Sequence, residues 1–331
     1  MRVLITGAAG FIGMHTAIKL LHEGYQIVGI DNLNDYYDIQ LKEHRLKLLS
    51  NYDRFHFIKA DLSDRETIES VFQKNNFQRV IHLGAQAGVR HSIDNPYLYA
   101  ESNLLGTLTI LEGCRKTKVE HLVFASSSSI YGLSTKTPFS EQDQTDSPVS
   151  FYAATKKSNE LMAHSYSYLY GIPMTGLRFF TVYGPYGRPD MAPWLFTEAI
   201  LHNEPIKIFN NGKMLRDFTY IDDIVEGVFR IQAKPPKIEK SGQAPYRICN
   251  IGNNQPIELS RFIKAIEMAC DREAEKIYLP MQLGDVPITY ANTAQLEKLV
   301  NYKPSTTIET GIQEFVDWYF NYYKNSHPLK N

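Results

Sequence analysis

The sequence has few of the features that mark secreted, membrane-spanning or metal-binding proteins. Its 331 residues include only three cysteines, Cys114, Cys249 and Cys270, which lie far apart and form no CxxC pair. This pattern argues against a disulfide framework or a zinc site and indicates reduced thiols. No hydrophobic run approaches the roughly 20 residues that a membrane span needs. The first residues enter a strand pattern directly, without a signal peptide, so we expect a cytoplasmic protein that does not enter a membrane.

The sequence also lacks an excess of charge of either sign. It carries 35 basic and 36 acidic residues, for a net charge of −1. This balance gives no electrostatic reason to expect binding to nucleic acid or to a membrane surface. Hydrophobic residues make up 43% of the chain and charged residues 21%, which supports a packed core rather than a disordered chain.

Apolar strand patterns alternate with helical patterns through the first half of the chain. This alternation predicts an α/β fold of the Rossmann type, with a doubly wound parallel sheet. After about residue 181 the pattern changes to short polar turns, prolines and scattered aromatics. We expect residues 1–180 to form the dinucleotide-binding domain, with 223–252 returning to it, and residues 181–331 to form a smaller α/β lobe that binds substrate. Predicted strands cover residues 3–5, 26–30, 55–59, 79–83, 121–125, 175–180 and 247–251, predicted helices include 67–73, 104–114 and 152–170, and 234–245 is predicted to be an exposed loop.

A glycine-rich turn follows the first predicted strand. Gly7 allows a tight bend, Gly10 lets the backbone approach a pyrophosphate, and Gly13 allows close helix packing. The helix that follows begins with Phe11 and Ile12 and offers free amide donors to phosphates. The spacing GxxGxxG at this place predicts a dinucleotide site.

Acidic residues at the ends of the next two strands predict how the cofactor is bound. Asp31 ends the second strand, where a carboxylate bonds the adenosine ribose and repels a 2′-phosphate, so NAD is favoured over NADP. Asp61 follows the third strand and either meets the adenine or caps the next helix. After the fourth strand, Ala85 and Gln86 are placed to line the inner ribose and the nicotinamide. The full set of predicted cofactor contacts is Gly7, Gly10, Phe11, Ile12, Gly13, Asp31, Asn32, Asp61, Leu62, Leu83, Ala85, Gln86, Ser126, Tyr152 and Lys156.

Tyr152 and Lys156 form the predicted catalytic pair. They are four residues apart, so on a helix they share one face. An adjacent ammonium and a positive nicotinamide ring both favour the phenolate, which brings the tyrosine pKa towards the working range. Ser127, 25 residues upstream, is the best candidate to share the substrate hydroxyl with Tyr152. The serines from Ser126 to Ser129 could instead cap turns.

These residues resemble the extended short-chain dehydrogenase/reductase superfamily, and most closely its UDP-glucuronate 4-epimerases. The likeness covers essentially the whole chain and is carried by residues 31–38, 86–90, 126–132, 180–185, 187–192 and 281–286. The first, second and fifth of these segments occur in few proteins.

The resemblance implies a reversible conversion of UDP-glucuronate to UDP-galacturonate. Tyr152 removes the proton of the sugar 4-hydroxyl while hydride passes from C4 to a tightly bound NAD. The 4-keto sugar turns about its link to the diphosphate, and hydride and proton return to the opposite face. The resemblance also implies a homodimer, formed through helices near 97–115 and 152–170, and a place in polysaccharide synthesis.

The resemblance assigns the substrate contacts as well. It places Arg216 at the diphosphate and Asp285 at the uridine ribose, although Arg216 could instead pair with Asp217 or Asp222. For the sugar carboxylate the candidates are Ser128, Ser129, Thr181 and Arg188, with Arg90 as a second arginine. Arg188 could alternatively pair with Asp190, and Arg90 could order its loop.

Related chemistries remain as alternatives. Dehydratases of the superfamily place an Asp-Glu pair where this chain has Ser128 and Ser129, and UDP-xylose-forming decarboxylases place a glutamate at Ser129. Gln282 and Thr181 stand where galactose-type epimerases carry arginine and asparagine. These departures weaken an assignment to UDP-glucose/galactose, and 4-epimerisation of neutral or N-acetylated UDP-hexoses stays an alternative. A conventional dehydrogenase and a non-catalytic dinucleotide-binding scaffold are the remaining alternatives.

Overall fold

A seven-stranded parallel sheet forms the centre of the molecule. The computed structural model describes residues 1–238, 241–282 and 285–326, and the side chains as far as Tyr322. The sheet has the order β10-β6-β5-β4-β1-β2-β3 and every pair in it is parallel. The strands are β1 (Arg2–Thr6), β2 (Gln26–Asp31), β3 (Phe55–Lys59), β4 (Arg79–His82), β5 (His121–Ser127), β6 (Met174–Phe179), β7 (Thr181–Tyr183), β8 (Ile206–Ile208), β9 (Leu215–Tyr220), β10 (Tyr246–Ile251), β11 (Pro256–Glu258) and β12 (Lys276–Tyr278).

Helices cover both faces of this sheet, and further helices lie beside the small sheets described below. The helices among the described residues are α1 (Phe11–His22), α2 (Ile39–Leu49), α3 (Arg65–Lys74), α4 (His91–Asp94), α5 (Pro96–Tyr99), α6 (Gly106–Thr117), α7 (Phe151–Tyr170), α8 (Ala192–Leu201), α9 (Ile221–Gln232), α10 (Leu259–Cys270), α11 (Ala294–Val300) and α12 (Ile308–Ser326). The predicted Rossmann-type fold is therefore confirmed. The inner strands such as β1 and β4 are largely buried because helices cover them on both sides, whereas the edge strand β3 is only partly buried.

The strand order places a crevice at one end of the sheet. β1 pairs with β2 on one side and with β4 on the other, so the chain crosses the sheet in opposite directions from this point. Ligands of doubly wound sheets bind outside the carboxyl ends of the strands where the order reverses. The fold thus directs attention to the loops after β1, β4 and β5.

Two small sheets lie outside the central one. The first has the order β11-β9-β7 and the second joins β12 to β8. Together with α8, α10 and α12 they enclose a core rich in aromatic residues, in which Phe218 stacks on Phe262 with ring centroids 4.4 Å apart. The division into domains at residue 180, with 223–252 returning to the first domain, stays a prediction.

The predicted strands of the central sheet are confirmed, with ends that shift by one or two residues. The predicted helix over 104–114 instead begins as a π-helical segment, Ala100–Leu105, before α6. In this segment Asn103 Nδ2 donates to the Gln86 carbonyl and to Thr155 Oγ1, so two hydrogen bonds to residues distant in sequence accompany the irregularity. The predicted loop over 234–245 contains no helix or strand among its described residues, and residues 239 and 240 lie outside them.

Two predictions from composition can be compared with the structure. Cys114, Cys249 and Cys270 are buried free thiols, as expected. Within the described residues no helix combines the length and the hydrophobicity needed to cross a bilayer.

Candidate active site

One cleft brings together every residue that the sequence singled out for the site. It has a volume of about 810 Å³ and opens at the carboxyl ends of β1, β4 and β5. Its lining includes Gly7, Gly10, Phe11, Ile12, Gly13, Asp31, Asn32, Asp61, Leu62, Leu83, Ala85, Gln86, Arg90, Ser126, Ser127, Ser128, Ser129, Tyr152, Lys156, Thr181, Arg188, Arg216 and Asp285. The individual roles of these residues are predictions that this grouping supports.

The glycine turn forms one wall of the cleft. Gly7 has a φ of +71°, a conformation that residues with side chains rarely adopt. A Cβ on Gly13 would lie 2.0 Å from the Gly7 carbonyl oxygen, and one on Gly10 would lie 2.9 Å from the same atom. Gly13 is therefore required by the turn itself, rather than only by packing of the helix on the sheet. The first turn of α1 has no side-chain cap, so its amides are free to bind phosphate.

Asp31 and Asp61 lie beside this turn. The Asp31 carboxylate accepts hydrogen bonds from the amides of Ala9 at 3.1 Å and Leu33 at 2.9 Å, so it fixes the turn as well as facing the cleft. Burial raises the pKa of Asp31. Asp61 accepts from Ser63 and from Asn32 Nδ2, the latter at 2.7 Å. The alternative that Asp61 caps the next helix is wrong, because Asp64 caps α3 by accepting from the Thr67 amide.

Gln86 has a fixed place on the opposite wall. Its backbone amide donates to Asn103 Oδ1 at 2.8 Å, and its side-chain oxygen accepts from Asn34 Nδ2 at 3.1 Å. Leu83 and Ala85, just before it, also line the cleft. This part of the wall is thus held by polar contacts with the π-helical segment and with the loop after β2.

The predicted catalytic residues meet at the start of α7. Ser150 caps this helix by accepting from the Ala153 amide at 3.1 Å, which places Tyr152 and Lys156 in its first turns. Ser127, at the end of β5, lies close enough to Tyr152 for its hydroxyl to lower the pKa of the phenol, and its Oγ donates to Ser129 Oγ at 3.1 Å. Lys156 Nζ donates to the Ala125 carbonyl at 3.0 Å and lies 5.9 Å from the centre of the Tyr152 ring. The lysine is therefore anchored beneath the phenol.

Burial dominates the ionisation of this pair. It raises the pKa of Tyr152, while the hydroxyl of Ser127 and the charge of Arg188 lower it. Burial also lowers the pKa of Lys156 to about 8. Desolvation outweighs the nearby charges in setting the tyrosine pKa, and the effect of Lys156 on that pKa stays a prediction. The charge of Arg188 favours the phenolate.

The other serines differ in what they can reach. Ser126 is buried and its hydroxyl donates to Glu160 Oε1 at 2.6 Å, so the proton of that hydroxyl is engaged within the protein. Glu160 in turn accepts from the buried Arg178, which fixes the end of β5 against α7. Ser127 accepts from the Ser129 amide at 3.2 Å, so the alternative of turn capping also applies to Ser127.

The arginines lie on the side of the cleft towards the small sheets. Arg188 forms a two-point ion pair with Asp190, as the alternative interpretation had it, and still lies close enough to Tyr152 to affect its pKa. Arg216 donates to the carbonyls of Leu215 and Pro287, both at 3.1 Å. The alternative of a pair with Asp217 is wrong, because Asp217 instead accepts from the amides of Asn253, Asn254 and Ala291.

Two further predicted contacts lie near the mouth of the cleft. Arg90 donates to Gln282 Oε1 at 2.6 Å, a contact that joins the loop after β4 to residues of the second half of the chain. Asp285 acts electrostatically on Arg216 and raises its pKa, although burial lowers that pKa more. Residues 283 and 284 of the segment 281–286 lie outside the described part of the structure.

Sequence reasoning missed several residues of the cleft. Lys42 donates to both oxygens of Asn34. Arg45, fully buried, donates to Ala9 O at 3.0 Å and to Tyr186 O at 2.7 Å, and so connects the glycine turn to the loop before Arg188. Tyr36 donates to Asp190 Oδ2 at 3.0 Å. Nothing in their spacing marks these residues, and the contacts of Arg45 with Tyr186 and of Tyr36 with Asp190 cross long sequence separations.

The fold and the site together define a dinucleotide-dependent enzyme whose cleft contains Ser127, Tyr152 and Lys156. Residues 3–252 match the family described as NAD dependent epimerase/dehydratase family. The chain belongs to this family, in agreement with the expected NAD cofactor.

Similar proteins agree with this membership. A "Probable UDP-glucuronate 4-epimerase" of Rhizobium meliloti is 47% identical over 99% of this chain and 99% of its own length. A UDP-glucuronic acid 4-epimerase of Bacillus cereus, solved with UDP-glucuronic acid and NAD, is 32% identical, covers 98% of this chain and 100% of its own, and has a TM-score of 0.89. A UDP-glucose 4-epimerase of Thermotoga maritima, solved with UDP-glucose, is 29% identical over 97% of this chain and 99% of its own, with a TM-score of 0.85.

Proposed function

We propose that this chain is an NAD-dependent 4-epimerase that interconverts UDP-glucuronate and UDP-galacturonate. The observation that carries the proposal is the placement of Ser127, Tyr152 and Lys156 in one cleft with a partly buried arginine, Arg188, that acts on the tyrosine. A proton-transfer group and a cation for a carboxylate are what epimerisation of a sugar acid requires. The similarity to UDP-glucuronate 4-epimerases over nearly the whole chain supports the same activity.

The residues of the glycine turn fit a dinucleotide. The Gly7 carbonyl oxygen lies where a Cβ on Gly10 or Gly13 would stand, so the turn needs glycine at both positions. The amides of the helix that follows stay accessible. Asp31, turned into the cleft beside them, suits the hydroxyls of an unphosphorylated ribose. When bound, NAD supplies the group that accepts and returns hydride at C4.

The chain itself moves the proton and holds the sugar. Tyr152 takes the proton of the 4-hydroxyl as the C4 hydrogen leaves, and returns it when that hydrogen is replaced on the other face. Ser127 donates to the sugar oxygen while it is a ketone, which stabilises the charge on that oxygen. Lys156 holds its ammonium beneath the phenol through the Ala125 carbonyl, so that the charge favours the phenolate.

The same cleft has to prevent one side reaction of the 4-keto acid, and it lacks the residues for a related reaction of neutral sugars. Dehydratases eliminate the 6-hydroxyl of a neutral sugar with an acid and a base, whereas the corresponding positions here are Ser128 and Ser129, which are neither. Loss of carbon dioxide needs the breaking C5–C6 bond to align with the carbonyl π system. Arg188, with Thr181 and the two serines, holds the carboxylate in another orientation.

The remaining assignments concern the nucleotide and the assembly. Arg216 binds the diphosphate, for which a guanidinium offers several donors in a rigid plane, and Asp285 binds the uridine ribose. The protein is a homodimer through α6 and α7, as exposed apolar residues of these helices suggest, among them Leu108 and Leu161. We place it in the cytoplasm, where buried free thiols persist, supplying sugars for polysaccharide synthesis.

Product analysis tests the proposal. The purified protein is incubated separately with UDP-glucuronate and with UDP-glucose, without added cofactor, and the products are identified. We expect UDP-galacturonate from the first and no product from the second. Conversion of the neutral sugar alone would favour a UDP-hexose epimerase. Release of reduced cofactor in proportion to product would indicate a dehydrogenase, and binding without any reduction of the cofactor would indicate a scaffold.

A further inference from the structure

Tyr36 is the point at which three separate segments of the chain meet. It belongs to residues 31–38, and its hydroxyl donates to Asp190 Oδ2, in residues 187–192, at 3.0 Å. Gly88, in residues 86–90, leaves the space that this hydroxyl occupies, because a Cβ there would lie 2.5 Å from Tyr36 Oη. These are the same three segments whose sequences occur in few proteins. All three segments therefore contribute a residue to the same contact.

Asp190 passes this contact on to Arg188. Arg188 Nε donates to Asp190 Oδ1 at 2.9 Å, and Arg188 Nη2 donates to Asp190 Oδ2, the oxygen that also accepts from Tyr36. Two of the three guanidinium nitrogens are therefore occupied on one edge. Among the described residues nothing accepts a hydrogen bond from the third, Arg188 Nη1. The guanidinium carbon lies 6.0 Å from the centre of the Tyr36 ring, so the same tyrosine contacts both members of the ion pair.

We propose that Tyr36 is a positioning residue that sets the preference for a sugar acid, by fixing Asp190 and through it the direction in which Arg188 presents Nη1. The inference rests on the proposed function. An arginine loses considerable rotamer freedom when it binds a ligand, and a guanidinium already held on one edge loses less. A substrate carboxylate gains from this arrangement, whereas a neutral hydroxymethyl group does not.

The position of Tyr36 also connects specificity with the cofactor site. Asp31 begins the same segment and lies beside the glycine turn, and Asn34 of this segment contacts Gln86 of the opposite wall. Arg45 ties the glycine turn to the carbonyls of Tyr186 and Gly187, immediately before Arg188. The loop that carries Arg188 is therefore held from the cofactor side both through its backbone and through Asp190.

Replacing the hydroxyl alone separates positioning from packing. The Tyr36 ring packs against His91 with centroids 4.8 Å apart, and Tyr36→Phe keeps that contact while removing the hydrogen bond to Asp190. Tyr37→Phe is the matched control, because its hydroxyl accepts from Arg45 and does not contact Asp190. Binding of UDP-glucuronate, UDP-glucose and UDP is measured by calorimetry on the NAD-containing proteins, with melting temperatures recorded for each.

We expect Tyr36→Phe to weaken binding of UDP-glucuronate roughly tenfold, as for a lost hydrogen bond to a charged group, and to change binding of UDP-glucose and UDP less than about twofold. Tyr37→Phe should leave the ratio of the affinities for UDP-glucuronate and UDP-glucose unchanged. Equal weakening of both sugars by Tyr36→Phe would overturn the proposal, since a structural role predicts that result. So would an unchanged affinity for UDP-glucuronate.

A double-mutant cycle identifies the route. The sugar ratio is the affinity for UDP-glucuronate divided by the affinity for UDP-glucose. If Tyr36 acts through Arg188, then Tyr36→Phe should have no further effect on this ratio in a protein that already carries Arg188→Ala. Additive effects would show that Tyr36 acts by another path and would overturn the proposal.

The single variant Arg188→Ala distinguishes the carboxylate role of Arg188 from the positioning role of Tyr36. If it leaves the sugar ratio unchanged, the proposed carboxylate role of Arg188 fails. If it lowers the ratio while Tyr36→Phe does not, only the present inference fails.

Discussion

Tyr152 owes its chemistry to three neighbours that the fold brings to it from different elements. Ser127 comes from the end of β5, Lys156 from the next turn of α7, and Arg188 from the loop before α8. The spacing of the first two around Tyr152 was readable in the sequence, because they lie on one helix and at the end of one strand. The role of Arg188 could be predicted only from the resemblance. The contact of Tyr36 with Asp190 could not be predicted from the sequence. Contacts across such separations depend on how loops cross, which local patterns do not record.

Tyr152→Phe tests the proton-transfer role. The ring still fills its place beside Tyr99, with which it makes an edge contact at 6.1 Å, but the group that exchanges the proton is gone. We expect turnover to fall by about 10³-fold, within the range for general acid–base catalysis. NAD content, measured after denaturation, should match that of the parent protein. Substantial remaining turnover would mean that another group moves the proton.

The buried ammonium of Lys156 is expected to lower the free energy of unfolding of the chain. Burial lowers its pKa from 10.5 to about 8, so between these values the unfolded chain binds more protons than the folded one. Stability therefore rises with pH through this window, and below about pH 8 the full cost of burying the charge is present. The shift corresponds to roughly 3 kcal/mol, less the hydrogen bond to Ala125 that a replacement would lose.

Lys156→Met should accordingly stabilise the cofactor-free protein by about 2 kcal/mol at pH 7. The difference should shrink as the pH approaches 10.5, where both states of the parent lysine become neutral. Denaturant unfolding at several pH values measures it. A destabilised variant at pH 7, or a gain that does not depend on pH, would show that the buried ammonium carries no such cost.

At the scale of elements, the glycine turn shows how far sequence patterns reach. The pattern identified the turn and the three glycines, and the structure adds the reason for Gly13, which is the Gly7 carbonyl oxygen 2.0 Å from where a Cβ would stand. The central strands were equally readable because they are continuous apolar runs. The π-helical segment Ala100–Leu105 was not, since its irregularity accompanies contacts of Asn103 with Gln86 and Thr155 that lie far apart in sequence.

Gly13→Ala tests this reading of the turn. The clash is with backbone that cannot move away cheaply, so we expect loss of bound NAD and a lower melting temperature. Gly227→Ala is the control, because this glycine also lies inside a helix but a Cβ there would meet only side-chain atoms, the nearest being Ile251 Cδ1 at 3.0 Å. The control should keep NAD and lose little or no stability, since alanine favours the helix by up to about 1 kcal/mol. Normal NAD content in Gly13→Ala would contradict the assigned geometry.

At the scale of the whole molecule, the site lies where the central sheet meets the small sheets. The sequence indicated this general plan through the change of pattern near residue 181. It did not indicate the order β11-β9-β7, because strands of three residues carry too little periodicity to be recognised. The short strands nevertheless matter to the site, since β7 and β9 hold Thr181 and Arg216 in place.

The exposed face of α7 makes the proposed assembly testable. Leu161 and Tyr168 are 60% and 58% exposed and lie seven residues apart, on the same side of the helix. A variant with glutamate at both positions should have half the parent mass in light scattering. Met268→Glu, an equally exposed site on α10, should leave the mass unchanged. A parent protein that is already monomeric, or a double variant that stays dimeric, would rule out this interface.

The central claim is that one hydrogen leaves C4 of the sugar and the same hydrogen returns to its other face, while Tyr152 exchanges only the hydroxyl proton. UDP-glucuronate labelled with deuterium at C4 and incubated in ordinary water measures this directly. The account predicts UDP-galacturonate that retains the full deuterium label at C4, with no added cofactor. Product that has lost the label to solvent would contradict it, because inversion would then proceed by another route.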